Sequence, residues 1–489
     1  MGRSYLIVIA CQAVAAAATL AGLRWLATYV DPETFGRYSL YQSVVAAAAL
    51  FLVSWPNAAL LRFGREEWTQ HGRVGATLGA RAALYTVCAA VAIALAWMFD
   101  PWIRAFLDVE GSPFVWVATG VVVIPATELA IYANQAIGRT EVYGYSPAIT
   151  RLGFLLGLAL IPLAVDQANW TYLAGWLLGS TAAAGVFALV TMPLATWSGF
   201  GVRVRTVTTL LKYSWALPFG AISTYVVNWI DSWVIRDVRG VGAVGVYNWA
   251  YQTTAIASLA FAPIAVILTP RVIDARLKDD RAKIKRYVDS ILTSAIALAA
   301  GVLIALVLVF PGLHWMAASS YAAAYSVILI LLSALPFQLI AYLVTPLANA
   351  YERLLPRIVV VSVAIATINT VGDLVLVPRL GINGAAIATL TAFLVGSLLL
   401  VVVIRSAGIE FAPVWRYAIP AFILLPGVAA LHWAGPRVGA LVIGGLAAGS
   451  VLALGIRRLR ASRTRAVIGT GSAFSAWWNA LTLSDLPNC

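Results

Sequence analysis

The sequence predicts an all-α, polytopic membrane protein of about fourteen transmembrane helices, and three observations carry that reading. First, 62% of the 489 residues are hydrophobic and only 11% are charged, whereas a soluble chain carries roughly 25% charged residues. So few charges cannot cover a water-facing surface, and lipid must solvate most of this one. Second, the apolar residues fall in continuous stretches rich in Ala, Leu and Val. Their lengths approach the roughly 20 residues that a spanning helix needs, and they lack the alternation of a membrane barrel. Third, basic residues gather in alternate connections between these stretches, as they do in cytoplasmic loops.

Spans are expected at 4–30, 38–61, 81–99, 114–137, 146–165, 170–191, 212–235, 243–269, 287–310, 322–347, 357–377, 382–404, 413–432 and 437–456. Pro420 and Pro426 interrupt the thirteenth. The first apolar run is too long for a cleavable signal peptide and shows no small-residue cleavage site. With the N-terminus inside, 26 of the 33 Lys and Arg face the cytoplasm, Arg65, Arg73, Arg81 and the Arg276–Arg286 cluster among them. Arg24, Arg37, Arg104, Arg236, Arg239, Arg379 and Arg437 fall outside or in the outer half. That split places both termini in the cytoplasm. It also accounts for the net charge of +13 without nucleic acid. Cys11, Cys88 and Cys489 are scattered and form neither a disulfide framework nor a metal spacing.

A weak repeat runs through the chain. Gly36-Arg37-Tyr38 precedes the second span and Gly245-Val246-Tyr247 the eighth, 209 residues later. Arg62 and Arg271 close the same two spans at the same spacing. Chance matching of a few Gly, Tyr and Arg is the competing explanation. If the repeat holds, residues 1–191 form an N-lobe of helices 1–6, 192–211 a cytoplasmic linker and 212–404 a C-lobe of helices 7–12. Helices 13 and 14 (405–456) and a cytoplasmic tail (457–489) follow. Six helices return the chain to the same side, so the copies are parallel, and substrate binds between such halves.

Three segments point to a family. Val30-Asp31-Pro32-Glu33-Thr34-Phe35-Gly36-Arg37-Tyr38 joins spans 1 and 2; Ser54-Trp55-Pro56-Asn57 and Leu61-Arg62-Phe63-Gly64 close span 2; Pro378-Arg379-Leu380-Gly381-Ile382-Asn383-Gly384-Ala385-Ala386 joins spans 11 and 12. In order and placement they resemble the polysaccharide flippases, the lipid-linked oligosaccharide (O-antigen type) translocases. Their superfamily also holds lipid II flippases and multidrug and toxin extrusion transporters. The resemblance implies two bundles around a central cavity that opens alternately to each side. It also implies an undecaprenyl-diphosphate-linked oligosaccharide as cargo, the bacterial inner membrane as location, and polymerase and glycosyltransferases as partners.

Ionisable groups inside a membrane are costly and face a bundle interior or a wet cavity. Lipid II flippases carry cavity cations on helices 1, 2 and 8, and Arg24, Arg62 and Arg271 occupy those helices here. The resemblance therefore assigns all three to a diphosphate, whose oxygens the planar guanidinium fork binds in pairs. Snorkelling of Arg24 to the interface, and simple positive-inside anchoring of Arg62 and Arg271, are the plainer readings. Polar stripes at helical spacing mark four further helices: Glu128, Tyr132 and Gln135; Gly220, Thr224, Asn228 and Asp231; Gln338, Tyr342, Thr345 and Asn349; Ser362, Asn369 and Asp373. One such stripe is helix–helix glue; four, three of them with an acid, favour a hydrated interior. Asn228, Gln338 and Asn349 are taken as further substrate contacts, and Asp231, Asp373 and Glu128 as gating or coupling acids. Arg24 and Asp231 fall at similar depth, where they could meet in an outer gate when the outer side closes; that each points to a different neighbour is the plainer reading. No P-loop, metal constellation or large catalytic loop suggests an enzyme or a cofactor.

Overall fold

The computed structural model describes residues 2–424 apart from 165–167, 216, 259–271, 273–274, 277, 317–318, 352–353, 407 and 411. Among the described residues every regular element is a helix. They are α1 (Gly2–Tyr29), α2 (Pro32–Ala48), α3 (Asn57–His71), α4 (Gly75–Met98), α5 (Asp100–Leu107), α6 (Phe114–Ala136), α7 (Glu141–Ala164), α8 (Trp170–Val190), α9 (Val204–Ser214), α10 (Leu217–Arg239), α11 (Val241–Ser258), α12 (Arg281–Met316), α13 (Ala324–Ala350), α14 (Leu355–Leu380) and α15 (Ile382–Arg405). Eight of the described helices are long and apolar enough to cross a membrane, and α2 with α3 can form a ninth, bent by 40°. The chain is a multi-pass membrane protein. The last expected span, 437–456, lies outside the described residues, as does 413–432 beyond residue 424.

Local chemistry sets the helix ends. Asp31 caps α2 by accepting from the N–H groups of Glu33 and Thr34, both at 2.9 Å, with Pro32 at the first position. Proline suits that position because its missing N–H would be unpaired there anyway. Partial burial works against the Asp31 charge, but these hydrogen bonds outweigh it and hold the carboxyl below the usual range. α2 then widens into a π turn over Ala49–Ser54 and breaks at Trp55-Pro56, where proline removes a ladder donor. The expected helix 38–61 is thus two helices with a bend. α4 starts at Gly75 rather than 81, because the Glu67 carboxylate accepts from the N–H groups of Ala76 (3.1 Å) and Thr77 (2.8 Å). Two short helices interrupt expected connections. α5 follows α4, and α9 fills the end of the 192–211 segment.

The chain forms two compact units. The first is Met1–Ile256 with Met316–Ala324, the second Ala257–Trp315 with Tyr325–Cys489. Their boundary does not follow the 192–211 segment, since α10 and α11 pack with the first unit. In that unit small residues let helices approach closely. Gly22 and Gly144 bring α1 against α7, Gly153 and Gly157 bring α7 against α8, and Gly185 brings α8 against α6. α2 and α11 both start at repeat-related residues, Pro32 and Val241. A Cβ on Gly36 would lie 2.1 Å from the Val241 carbonyl oxygen, and one on Gly245 would lie 1.8 Å from that of Pro32. In the second unit, Val288, Ile291, Phe337, Ile340, Val401 and Ile404 build the core between α12, α13 and α15. A single residue, Gly381 at φ 62°, joins α14 to α15.

Candidate functional site

Among the described residues, polar side chains gather in three clusters of the first unit and one of the second, and these take in some of the candidate residues. The first cluster surrounds the α2–α3 break. Arg81 on α4 is fully buried; its Nε–H donates to Asn57 Oδ1 at 3.0 Å and its Nη2–H to the Val53 carbonyl at 2.8 Å. That carbonyl belongs to the π turn, where the regular ladder fails. Glu128 on α6 accepts from Ser54 Oγ–H at 2.5 Å and from Asn57 Nδ2–H at 3.3 Å. Asn57 therefore bridges the guanidinium and the carboxylate. Arg81 was expected among the cytoplasmic loop charges; the early start of α4 draws it into the helix bundle instead. Nothing in the linear sequence pairs it with Asn57, which lies 24 residues upstream.

The second cluster joins α10 to α11. Asp231 is buried and accepts from the Tyr247 hydroxyl, while Asn248 Nδ2–H donates to Ser232 Oγ at 2.9 Å. Asn228, more exposed, accepts from the Tyr251 hydroxyl at 3.0 Å. The stripe read on one helix thus meets a matching stripe on the next. α10 also reaches α2, where Trp233 Nε1–H donates to Ser43 Oγ at 3.2 Å and the Tyr225 hydroxyl to the Ser43 carbonyl at 3.1 Å.

The third cluster sits at the end of this unit expected to face outward. Arg236 of α10 donates to the carbonyls of Ala105 (2.5 Å) and Phe106 (3.1 Å), which close α5, and lies over the Phe106 ring. Arg37 of α2 donates to the Asp108 carbonyl at 3.0 Å and pairs with Glu33 at 2.6 Å. Cations at a helix C-terminus complement its dipole. Trp102, Phe106 and Trp233 pack around the same helix end.

Arg24 is partly exposed on α1, and its Nη1–H donates to Thr28 Oγ1 at 3.1 Å. Arg62 is exposed on α3, 3.6 Å from Glu66 and stacked on Phe63 and on Tyr213 of α9. Arg271 lies outside the described residues, and so does the side chain of Asn349. In the second unit, Asp373 is buried and accepts from Asn369 Nδ2–H at 3.2 Å, and Gln338 is half-buried on α13.

Residues 1–276, more than half of the chain and spanning both Gly36 and Gly245, match the family described as polysaccharide biosynthesis protein. The chain belongs to that family. A curated relative, the probable flippase AglR of Haloferax volcanii, is 24% identical over 319 residues, which cover 65% of each chain. This member of the polysaccharide biosynthesis family thus aligns with just under two-thirds of that relative's length. Two solved structures share the fold. The lipid II flippase MurJ, in an inward closed conformation, is 13% identical with a TM-score of 0.68 over 93% of this chain and 99% of the other. An inward-facing multidrug resistance MATE family transporter of the MOP superfamily is 13% identical with a TM-score of 0.64 over 83% and 100%.

Proposed function

We propose that this protein is a flippase. It moves an undecaprenyl-diphosphate-linked oligosaccharide between leaflets of the bacterial inner membrane by alternating access, for surface polysaccharide biosynthesis. The family match over residues 1–276 carries the reading, and the name of the curated relative agrees with it. The lobes are 1–191 and 212–404, joined by 192–211, and both termini are cytoplasmic. The diphosphate and sugars travel through protein while the polyprenyl tail stays in lipid. Arg24 replaces the water lost by the diphosphate, with Arg62 and Arg271 assisting. Asn228, Gln338 and Asn349 contact sugar, and the acids Asp231 and Asp373 act in gating. The protein performs no catalysis; polymerase and glycosyltransferases act before and after it.

Proteoliposomes loaded with a fluorescent undecaprenyl-diphosphate oligosaccharide test this. Protein-dependent exposure of the glycan to an enzyme outside the vesicle is the expected result. Transport of drug-like cations with no movement of the lipid-linked glycan would replace the reading with that of a multidrug exporter.

A further inference from the structure

The α2–α3 break holds a built site that goes beyond a bend in a helix. π turns recur at functional positions, and this one is tied on both sides of Trp55-Pro56 by a single carboxylate oxygen. Glu128 Oε2 accepts from Ser54 before the break and from Asn57 after it. Arg81 is 0% exposed, and its Nη1 is buried with no hydrogen-bond partner among the described residues. Glu128, by contrast, is partly buried. A sealed positive charge thus lies one amide away from a carboxylate that is not fully sealed.

We propose that Glu128 is a proton-loading site that couples proton binding to the α2–α3 bend. The proposal rests on the transporter reading above and names its driving ion. The chemistry is one association: a proton from water adds to the Glu128 carboxylate, giving the carboxylic acid, and no other bond breaks. Hydrogen bonds to an ionised acceptor are roughly twice as strong as neutral ones. Loading therefore weakens both ties across the break while Arg81 keeps its hold on Asn57 and Val53. The change falls on the hinge alone. A metal cation fits the site poorly, because it would find one carboxylate and face the fixed guanidinium, whereas a proton needs no ligand shell. The groups facing Glu128 are Arg81, with Tyr85 and Cys88 beside it on α4, and Tyr132 on α6, with Tyr143 of α7 behind it. Tyr85 is committed to the Val122 carbonyl at 2.8 Å.

The test uses the full chain in lipid nanodiscs, without substrate. Spin labels carried by an unnatural amino acid at the exposed positions Gln70 and Glu110 leave the native cysteines in place. The expected result is two distance populations whose ratio changes about tenfold per pH unit through one transition, as a single proton requires. Glu128→Gln should hold the acid-side distribution at every pH, and sodium at fixed pH should change nothing. A wild-type distribution that ignores pH, an unchanged transition in Glu128→Gln, or a sodium-driven shift would each overturn the proposal. Should Glu128→Gln fail to fold, the wild-type series and Glu128→Asp, which keeps a titratable carboxylate and should keep a transition, still decide. The flippase reading fails separately. A proton-driven distance change with no glycan movement in proteoliposomes leaves the site standing and removes the flippase, whereas glycan movement with pH-insensitive distances does the reverse.

Discussion

Gly36 and Gly245 make the same contact in two copies. Gly36 lies against the carbonyl of Val241, and Gly245 against that of Pro32. Gly36 and Gly245 are 209 residues apart, and so are Pro32 and Val241. Each contact is therefore the image of the other under the repeat. Chance similarity of short motifs does not produce reciprocal contacts at the start of two helices. Any Cβ at either position would fall far inside van der Waals contact distance of a carbonyl oxygen, so the two helix starts can cross this closely only through glycine.

Gly245→Ala should force α2 and α11 apart at this crossing. Overpacking costs about 1–3 kcal/mol, more than the roughly 1 kcal/mol that alanine gains over glycine in a helix. The melting temperature should fall, and disulfide formation between cysteines placed at Thr34 and Gly242 should drop. Crosslinking at the wild-type rate would show that the crossing tolerates a methyl group.

Arg236→Ala should loosen α5. It removes two charge-assisted hydrogen bonds, each worth about 1.5–3 kcal/mol when sheltered and less at a partly exposed site like this one. Amide exchange across 100–113 should quicken while exchange in α6 stays unchanged. Arg236→Lys should restore only part of the protection, because an ammonium cannot reach two carbonyls with a planar fork.

Arg24→Ala should abolish glycan movement with expression intact, and Arg24→Lys should recover a fraction of it, because the charge returns without the paired donors. Wild-type transport by Arg24→Ala would remove the diphosphate role. For the proposed gate between Arg24 and Asp231, Asp231→Ala should raise labelling of cysteines on the outward side of α1 by a maleimide. Tyr247→Phe should do so less, because it removes one donor and keeps the carboxylate.

The Asp31 cap should give α2 a pH-dependent start. Its carboxyl lies below the ordinary value in the folded protein, so the stabilisation is complete above the unfolded value of about 4. It is lost as pH falls through the lowered folded value. Amide exchange in the first turn of α2 should rise in acid beyond the intrinsic change, and Asp31→Asn should flatten that dependence. Asp31→Ala should cost about 1 kcal/mol at neutral pH.

What the sequence makes legible is whatever local chemistry decides. Apolar runs mark the long helices, and Gly-x-Tyr at equal spacing marks the repeat. Pro56 and its neighbours mark where α2 fails. Pairings between helices are another matter. Arg81 stands at the edge of an apolar run and reads as an interfacial anchor, because only the fold brings Asn57 and the Val53 carbonyl to it. Asp231 is visible as a costly charge, but its partner Tyr247 lies on the next helix. The short helices α5 and α9 carry too few residues to stand out from polar connections, and contacts hold them: Arg236 and Arg37 for α5, and the packing of Leu210 with Ala59 and Ala80 for α9.

The α14–α15 hairpin has a mechanical consequence. Its two helices are joined by one residue, and Gly384, Gly372 and Gly396 seat against Leu376, Ala388 and Ile365 along the length of the seam. Neither helix has slack in which to slide or rotate against the other. Such a hairpin behaves as a single stiff lever, so a displacement applied at one tip reaches the far end without being absorbed on the way. A reporter on either helix would therefore read the motion of both.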